Sequence, residues 1–281
     1  MWSTLSVQDS ILIRFDRGPL TDIRGFVAVD PVEKAIIVSF RASSSTENWI
    51  TKYEPPSIFH CTETKLTRFS FIFTFVPCSL VDGCLVHTGF KVAWDEIRDE
   101  VFEAVASAKQ QNPDFKIVVT GHSLGGALAT LASGYLRKAN YALDMFTYGA
   151  PRVGNQAFAS FITSQKGREY RITHLDDIVP KLPPMILGYR HTSPEYWLYT
   201  GEDTTVDYGV EDIKVCEGTA SLKCNGGTLG FGDDAHGYYF QKMGGCDGPP
   251  ALASKMKLAS AQQGLSFVER LKEAGLDPNV Q

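Results

Sequence analysis

The sequence predicts an α/β fold, a mixed and mostly parallel central sheet with helices on both faces, and three observations carry that expectation. Short β-branched runs alternate with helix-forming segments between residues 112 and 174. The chain is 281 residues long and 43% hydrophobic, enough to close one sizeable core. One of the strands passes into an Ala-rich helix through a turn of only a few residues, Gly121-His122-Ser123-Leu124-Gly125. We therefore treat residues 1–281 as one domain, with a core over 16–250 and a tail over 251–281.

Taken in order, the run Ile23 to Asp30 alternates apolar and polar residues, Asp30-Pro31 turns it, and Ala35 to Phe40 is apolar enough for a strand buried on both faces. Between Gly89 and Gln111, the residues Phe90, Ala93, Trp94, Ile97, Val101, Ala104 and Ala108 recur at steps of three and four, the spacing of one helix face. After Asn112-Pro113, Phe115 to Thr120 is a short β-branched strand, and GGALATLASGYLRK that follows Leu124 is rich in helix formers. Leu143 to Tyr148 and Glu169 to His174 read as two more strands with a helix over Gln156 to Ser164 between them, so parallel crossovers follow. Gly188 to Thr192 reads as a strand leading into Tyr196 and Trp197, and the Ala/Lys/Leu-rich stretch from Ala251 to Leu276 reads as helix.

A formal charge of −5, with no run of Lys and Arg, offers no electrostatic footprint for nucleic acid. No apolar stretch reaches the ~18 residues needed to span a bilayer, and Gln8 with Asp9 interrupt the only candidate signal-peptide core. Among six cysteines, Cys78 with Cys84 and Cys216 with Cys224 are spaced to close short polar loops and are expected to form disulfides; Cys61 and Cys246 have no evident partners. No histidine stands beside a cysteine pair at zinc-ligand spacing.

The G-x-S-x-G turn sits in the one context where it carries chemistry, between a buried strand and a helix, where a sharp elbow presents the Ser123 hydroxyl. Gly121 and Gly125 suit a strand and helix that approach too closely for a Cβ, and the Leu124 N–H at the helix start is an oxyanion donor. A neutral hydroxyl needs a base within hydrogen-bond reach, and that base needs a carboxylate to orient it. In α/β-hydrolases the order along the chain is Ser, acid, His. That order excludes His60, His87 and His122, and it rejects His174, which precedes Asp176-Asp177. His191 falls in strand-like sequence and is read as structural. His236 remains, in a polar loop ahead of Tyr238-Tyr239-Phe240, and is the expected base. Spacing leaves Asp176 and Asp177 both open as the acid.

The chain resembles the fungal class 3 lipases from about Gly25 to Cys246. The resemblance rests on Ser39-Phe40-Arg41-Ala42-Ser43, Glu47-Asn48-Trp49-Ile50, Val86-His87-Thr88-Gly89-Phe90, the elbow with Gly126-Ala127-Leu128-Ala129, Thr147-Tyr148-Gly149-Ala150-Pro151-Arg152-Val153-Gly154-Asn155, and Asp177-Ile178-Val179-Pro180 with Leu182-Pro183-Pro184. It implies an α/β-hydrolase fold with a lid over the active site, Asp177 as the acid, His236 as the base, and Ser43 as a second oxyanion donor beside Leu124. It also implies a lid over residues 44–76 whose Trp49 packs near the acyl chain, secretion, and hydrolysis of acylglycerols at a lipid–water interface without metal or organic cofactor. A feruloyl or other soluble-ester esterase is the alternative, and a silent lipid-binding or mis-spliced product is the rival from outside enzymes.

Two stretches depart from the family. Residues 57–76 form an insert, with the apolar run Phe69 to Val76, read as a retained intron or an enlarged lid. Family members also carry an N-terminal helix whose cysteine bonds the counterpart of Cys246; here Cys246 is expected to be an orphan unless it pairs with Cys61, and reduced stability is expected.

Overall fold

The structure is a computed structural model and describes residues 13–16, 23–41, 73–230, 233–243 and 269–276. Ten strands are formed among these residues: β1 Ile13–Asp16, β2 Arg24–Asp30, β3 Ala35–Arg41, β4 Phe75–Pro77, β5 Leu85–His87, β6 Lys116–His122, β7 Leu143–Tyr148, β8 Glu169–His174, β9 Glu195–Leu198 and β10 Ile213–Cys216. The helices that matter to the site are α1 Thr88–Gln111, α2 Leu124–Lys138, α3 Gln156–Ser164 and the single turn α4 Asp233–His236.

Eight strands make one sheet in the order β1-β2-β3-β6-β7-β8-β9-β10. The run from β3 through β9 is parallel, and antiparallel pairs close both ends, β1-β2-β3 on one side and β9-β10 on the other. Asp30 closes the β2–β3 turn by accepting the N–H groups of Val32 and Glu33 at 2.9 and 3.0 Å.

Because successive strand residues face opposite sides, the sheet divides its apolar residues between two cores. Ile117, Val119 and Met145 face one core with the α1 stripe, Leu128, Leu131 and Ala132 of α2, and Phe158 and Ile162 of α3. Val118, Phe146, Tyr170 and Ile172 face the other, which Tyr239 and Leu271 cover. The expected α1 stripe is buried throughout, and Trp94 at its centre stacks on Tyr135 at 5.7 Å. Of the tail, residues 269–273 are helical and Leu271 is buried, so this part packs on the second core; residues 251–268 lie outside the described residues.

Two sequence expectations change. The strand leading into Tyr196 begins only at Glu195: before it, Arg190 makes an isolated bridge to Gly154, and Pro194 has no N–H to give a ladder. The end of the 57–76 insert belongs to the fold, since Phe75 and Val76 pair with His87 and Val86 and the Phe75 ring stacks on Tyr189 at 4.1 Å. Residues 57–72 lie outside the described residues, as do Cys61 and Cys246. Both expected disulfides form, Cys78–Cys84 and Cys216–Cys224.

At the start of β8, Glu169 is buried, and burial pushes its carboxyl up to about 7 against the pull of Thr192, Arg137 and Arg171. A folded pKa above the ordinary 4.5 means that the native state holds a proton the unfolded chain has lost anywhere between those values. Stability contributed by this group is therefore full below about pH 4.5, falls as pH rises to about 7, and is level above. Glu169→Gln removes that slope. Urea unfolding at pH 5 and pH 8 is expected to show the wild type losing on the order of 2–3 kcal/mol relative to the variant. Parallel pH responses in the two proteins would mean that Glu169 is ionised at both.

Candidate active site

The elbow expected from Gly121 to Gly125 forms between β6 and α2. Ser123 holds φ 56° and ψ −126°, a backbone region that only glycine enters freely. What forces it there is proximity: a Cβ on Gly121 would overlap the Gly125 carbonyl, and one on Gly125 would overlap the Phe40 carbonyl of β3. Helix and strands are thus pressed together, and the turn joining them has no room to relax. The Ser123 N–H donates to Tyr148 O at 2.9 Å, locking the elbow to β7. Ser123 is 1% exposed, and among the described residues its Oγ has no hydrogen-bond partner. Leu124 opens α2, so its N–H is one of the four that the helix itself leaves without an acceptor.

Burial distinguishes the two aspartates that spacing leaves open. Asp177 is fully buried beyond the end of β8, whereas Asp176 is half-buried and turned toward Gly230. Asp177 Oδ1 accepts the Val179 N–H at 2.9 Å, which fixes the carboxylate plane. Its Oδ2 takes His236 Nδ1–H at 2.8 Å and the Tyr239 hydroxyl at 2.5 Å. The carboxylate fixes the tautomer: with its proton on Nδ1, a neutral His236 leaves Nε2 as a bare acceptor. That Nε2 is buried and has no partner among the described residues, the same condition as Ser123 Oγ. Gly149 makes room for the arrangement, since at φ 56° a Cβ there would lie 2.6 Å from the Tyr239 hydroxyl, 2.9 Å from Asp177 Oδ2 and 3.0 Å from His236 Nδ1.

Of the histidines set aside in the sequence, His122, His174 and His191 each donate to a backbone carbonyl, His87 caps α1 by accepting the Gly89 and Phe90 N–H groups, and His60 lies outside the described residues. His191 Nε2 reaches Pro180 O at 2.6 Å, next to the acid-bearing turn, and burial with Arg171 and Arg152 nearby holds its pKa well below the usual value. His174 and His122 lie against the segment that carries His236. His236 itself stands at the end of the one-turn α4, where the polar sequence reads as a loop.

Three contributors are not legible in the sequence. Tyr239 reads as part of an apolar run, yet its hydroxyl is on the acid. Asn225 reads as loop, yet its Nδ2 donates to Leu175 O at 3.1 Å and Asp177 O at 3.0 Å while its own N–H meets Glu195 Oε1 at 3.2 Å. Gly149 is a small residue in a motif whose positive φ only the structure reveals. Ser43 and Trp49 lie outside the described residues.

Comparison with known proteins shows the family to which this fold belongs. Residues 37–187 match the family described as Lipase (class 3). The chain is 49% identical over 245 residues to the secreted mono- and diacylglycerol lipase 1 of Fusarium solani, covering 87% of this chain and 68% of that protein. It is 38% identical over 241 residues to the secreted mono- and diacylglycerol lipase A of Penicillium cyclopium, covering 84% and 72%. The crystal structure of the mono- and diacylglycerol lipase from Aspergillus oryzae superposes with a TM-score of 0.70 at 39% identity, covering 82% of this chain and 80% of that one. The elbow, the mostly parallel sheet and these similarities have one reading: the chain belongs to the class 3 lipases and is a carboxylic ester hydrolase of the α/β-hydrolase fold.

Proposed function

We propose that the protein hydrolyses acylglycerols, mono- and diacylglycerols foremost, with Ser123 as nucleophile, His236 as general base and acid, and Asp177 as the orienting carboxylate. The observation that carries this reading is a pair of buried atoms with no hydrogen-bond partner among the described residues, Ser123 Oγ on a strained elbow and His236 Nε2 on an imidazole whose other nitrogen is tied to Asp177. In this mechanism Ser123 Oγ attacks the ester carbonyl and its proton passes to His236 Nε2. The oxyanion is met by the Leu124 N–H and by Ser43. Collapse expels the glyceryl oxygen, protonated by His236, and leaves an acyl-serine. Water, deprotonated by the same imidazole, then releases the fatty acid.

The names of the Fusarium and Penicillium relatives support both the substrate class and secretion. Work at a lipid–water interface is supported by Ile186 and Leu229, 92% and 95% exposed, which follow the acid-bearing turn and precede the base-bearing turn along the chain. Among the described residues no helix is long and apolar enough to cross a membrane, and a charge of −5 argues against nucleic acid as a partner. Fatty-acid release from emulsified monoolein, diolein and triolein, measured beside p-nitrophenyl butyrate and methyl ferulate, tests the reading. Faster turnover of monoolein and diolein than of triolein is expected. Turnover confined to the dissolved esters would overturn the acylglycerol assignment.

A further inference from the structure

The base stands on one turn of helix, four residues from Asp233 to His236. A single turn is not stable alone, and its last carbonyls have no acceptor role inside it. What holds it must come from outside, and two imidazoles do so. His122 Nε2 lies 2.9 Å from His236 O, and His174 Nδ1 lies 2.9 Å from Ala235 O. A carbonyl oxygen only accepts, so the proton of His122 is on Nε2 and that of His174 on Nδ1. His174 Nε2 is then bare and accepts the Tyr208 hydroxyl at 2.6 Å, shorter than that hydroxyl's 3.2 Å contact with Thr205 O. Burial keeps both rings neutral; that of His122, beside the His236 ring at 4.5 Å between centroids, is held down to about 3. Tyr239 packs edge-on against both rings, 5.7 Å from each, with its hydroxyl on Asp177.

We propose that His122 and His174 are positioning residues, a clamp on the consecutive carbonyls of Ala235 and His236 that sets the place of the base relative to Ser123. His122 precedes Ser123 directly, so one hydrogen bond ties the serine's strand to the base's turn across 114 residues of chain. His174 ends β8 just ahead of Asp177, so the second bond ties the acid's strand to the same turn. Each member of the Ser–His–Asp set is thereby referenced to the others through backbone, independently of the hydrogen bonds the reaction makes and breaks. The inference rests on the reading of Ser123 and His236 given above.

The test compares apolar with amide replacements in the full chain. A Gln amide nitrogen replaces Nε2 of His122, and an Asn amide nitrogen replaces Nδ1 of His174. His122→Leu and His174→Leu are each expected to lower kcat on p-nitrophenyl butyrate by about 10²-fold, the effect of moving a reacting group by an ångström, with KM little changed. His122→Gln and His174→Asn are expected to recover most of that loss. Counting active sites with a serine-reactive phosphonate restricts each kcat to folded enzyme, so a purely structural role would lower the count and spare kcat. Should one Leu variant fail to accumulate, the other reads the neighbouring carbonyl of the same clamp. Wild-type kcat per active site in the Leu variants, a loss lying in KM, or amides no better than leucine would each overturn the clamp. Ser123→Ala assayed alongside separates the two readings: activity there sinks the serine mechanism, whereas an inert Ser123→Ala beside a fully active His122→Leu sinks only the clamp.

Discussion

Ser123→Ala is expected to lower kcat on a soluble ester by about 10⁵- to 10⁶-fold, the scale seen when a triad nucleophile is lost. The reason is chemical rather than structural. Alanine keeps the Cβ, so the elbow backbone is unchanged, and the hydroxyl it removes has no hydrogen-bond partner among the described residues. No packing is lost either, because Oγ is the only atom deleted. The melting temperature is therefore expected to stay within a degree or two, and a buried unpaired hydroxyl gives no reason for a fall. Steady-state kinetics with p-nitrophenyl butyrate and a thermal melt on the same preparation check both halves. Residual activity above about 1% would point to another nucleophile, since water acting through His236 alone is far slower.

Asp177→Asn is expected to cost about 10⁴-fold in kcat, with substrate binding nearly unchanged. The carboxylate oxygen Oδ2 receives two donors, His236 Nδ1–H and the Tyr239 hydroxyl, while Oδ1 takes the Val179 N–H. An amide must place its oxygen on one side and its NH₂ on the other. With the oxygen kept on Val179 N–H, the NH₂ faces His236 Nδ1, which must then accept, and the ring proton moves to Nε2. The base has lost its acceptor, so the serine proton has nowhere to go. Because the residue is fully buried, the variant also presents its NH₂ to the Tyr239 hydroxyl, which must rotate. A pH–rate profile for kcat distinguishes this from simple loss of fold: the variant should remain slow at every pH where it is folded, and full activity at alkaline pH would contradict the tautomer argument.

How far the site is legible in the sequence depends on how far apart its partners lie along the chain. The elbow is legible because strand, turn and helix are contiguous, and each glycine makes room for an atom only a few residues away or on the adjacent strand. The α1 stripe is legible for the same reason, since its period is local. The order of Ser, acid and base narrows the six histidines to His191 and His236, yet it leaves Asp176 beside Asp177, and one residue of offset decides which is buried. Tyr239, Asn225, His122 and His174 act across 62, 48, 114 and 61 residues respectively. No periodicity or turn chemistry encodes such distances. The strand expected at Gly188 to Thr192 fails for a related reason: Tyr189 and Arg190 have strand-like character, but the bridge partner of Arg190 is Gly154, not a neighbouring strand of the sheet.

The conformation of Ser123 has a consequence for what selection has kept. Its φ and ψ lie where a Cβ is disfavoured, at a cost of about 1–3 kcal/mol. Glycine at 123 would give that free energy back to the fold and abolish the chemistry. A search for thermal tolerance alone, blind to turnover, would thus be drawn toward deleting the side chain proposed as the nucleophile. The protein is held away from its own most stable sequence at the very residue that matters most, and any programme of stabilisation has to leave that debt standing.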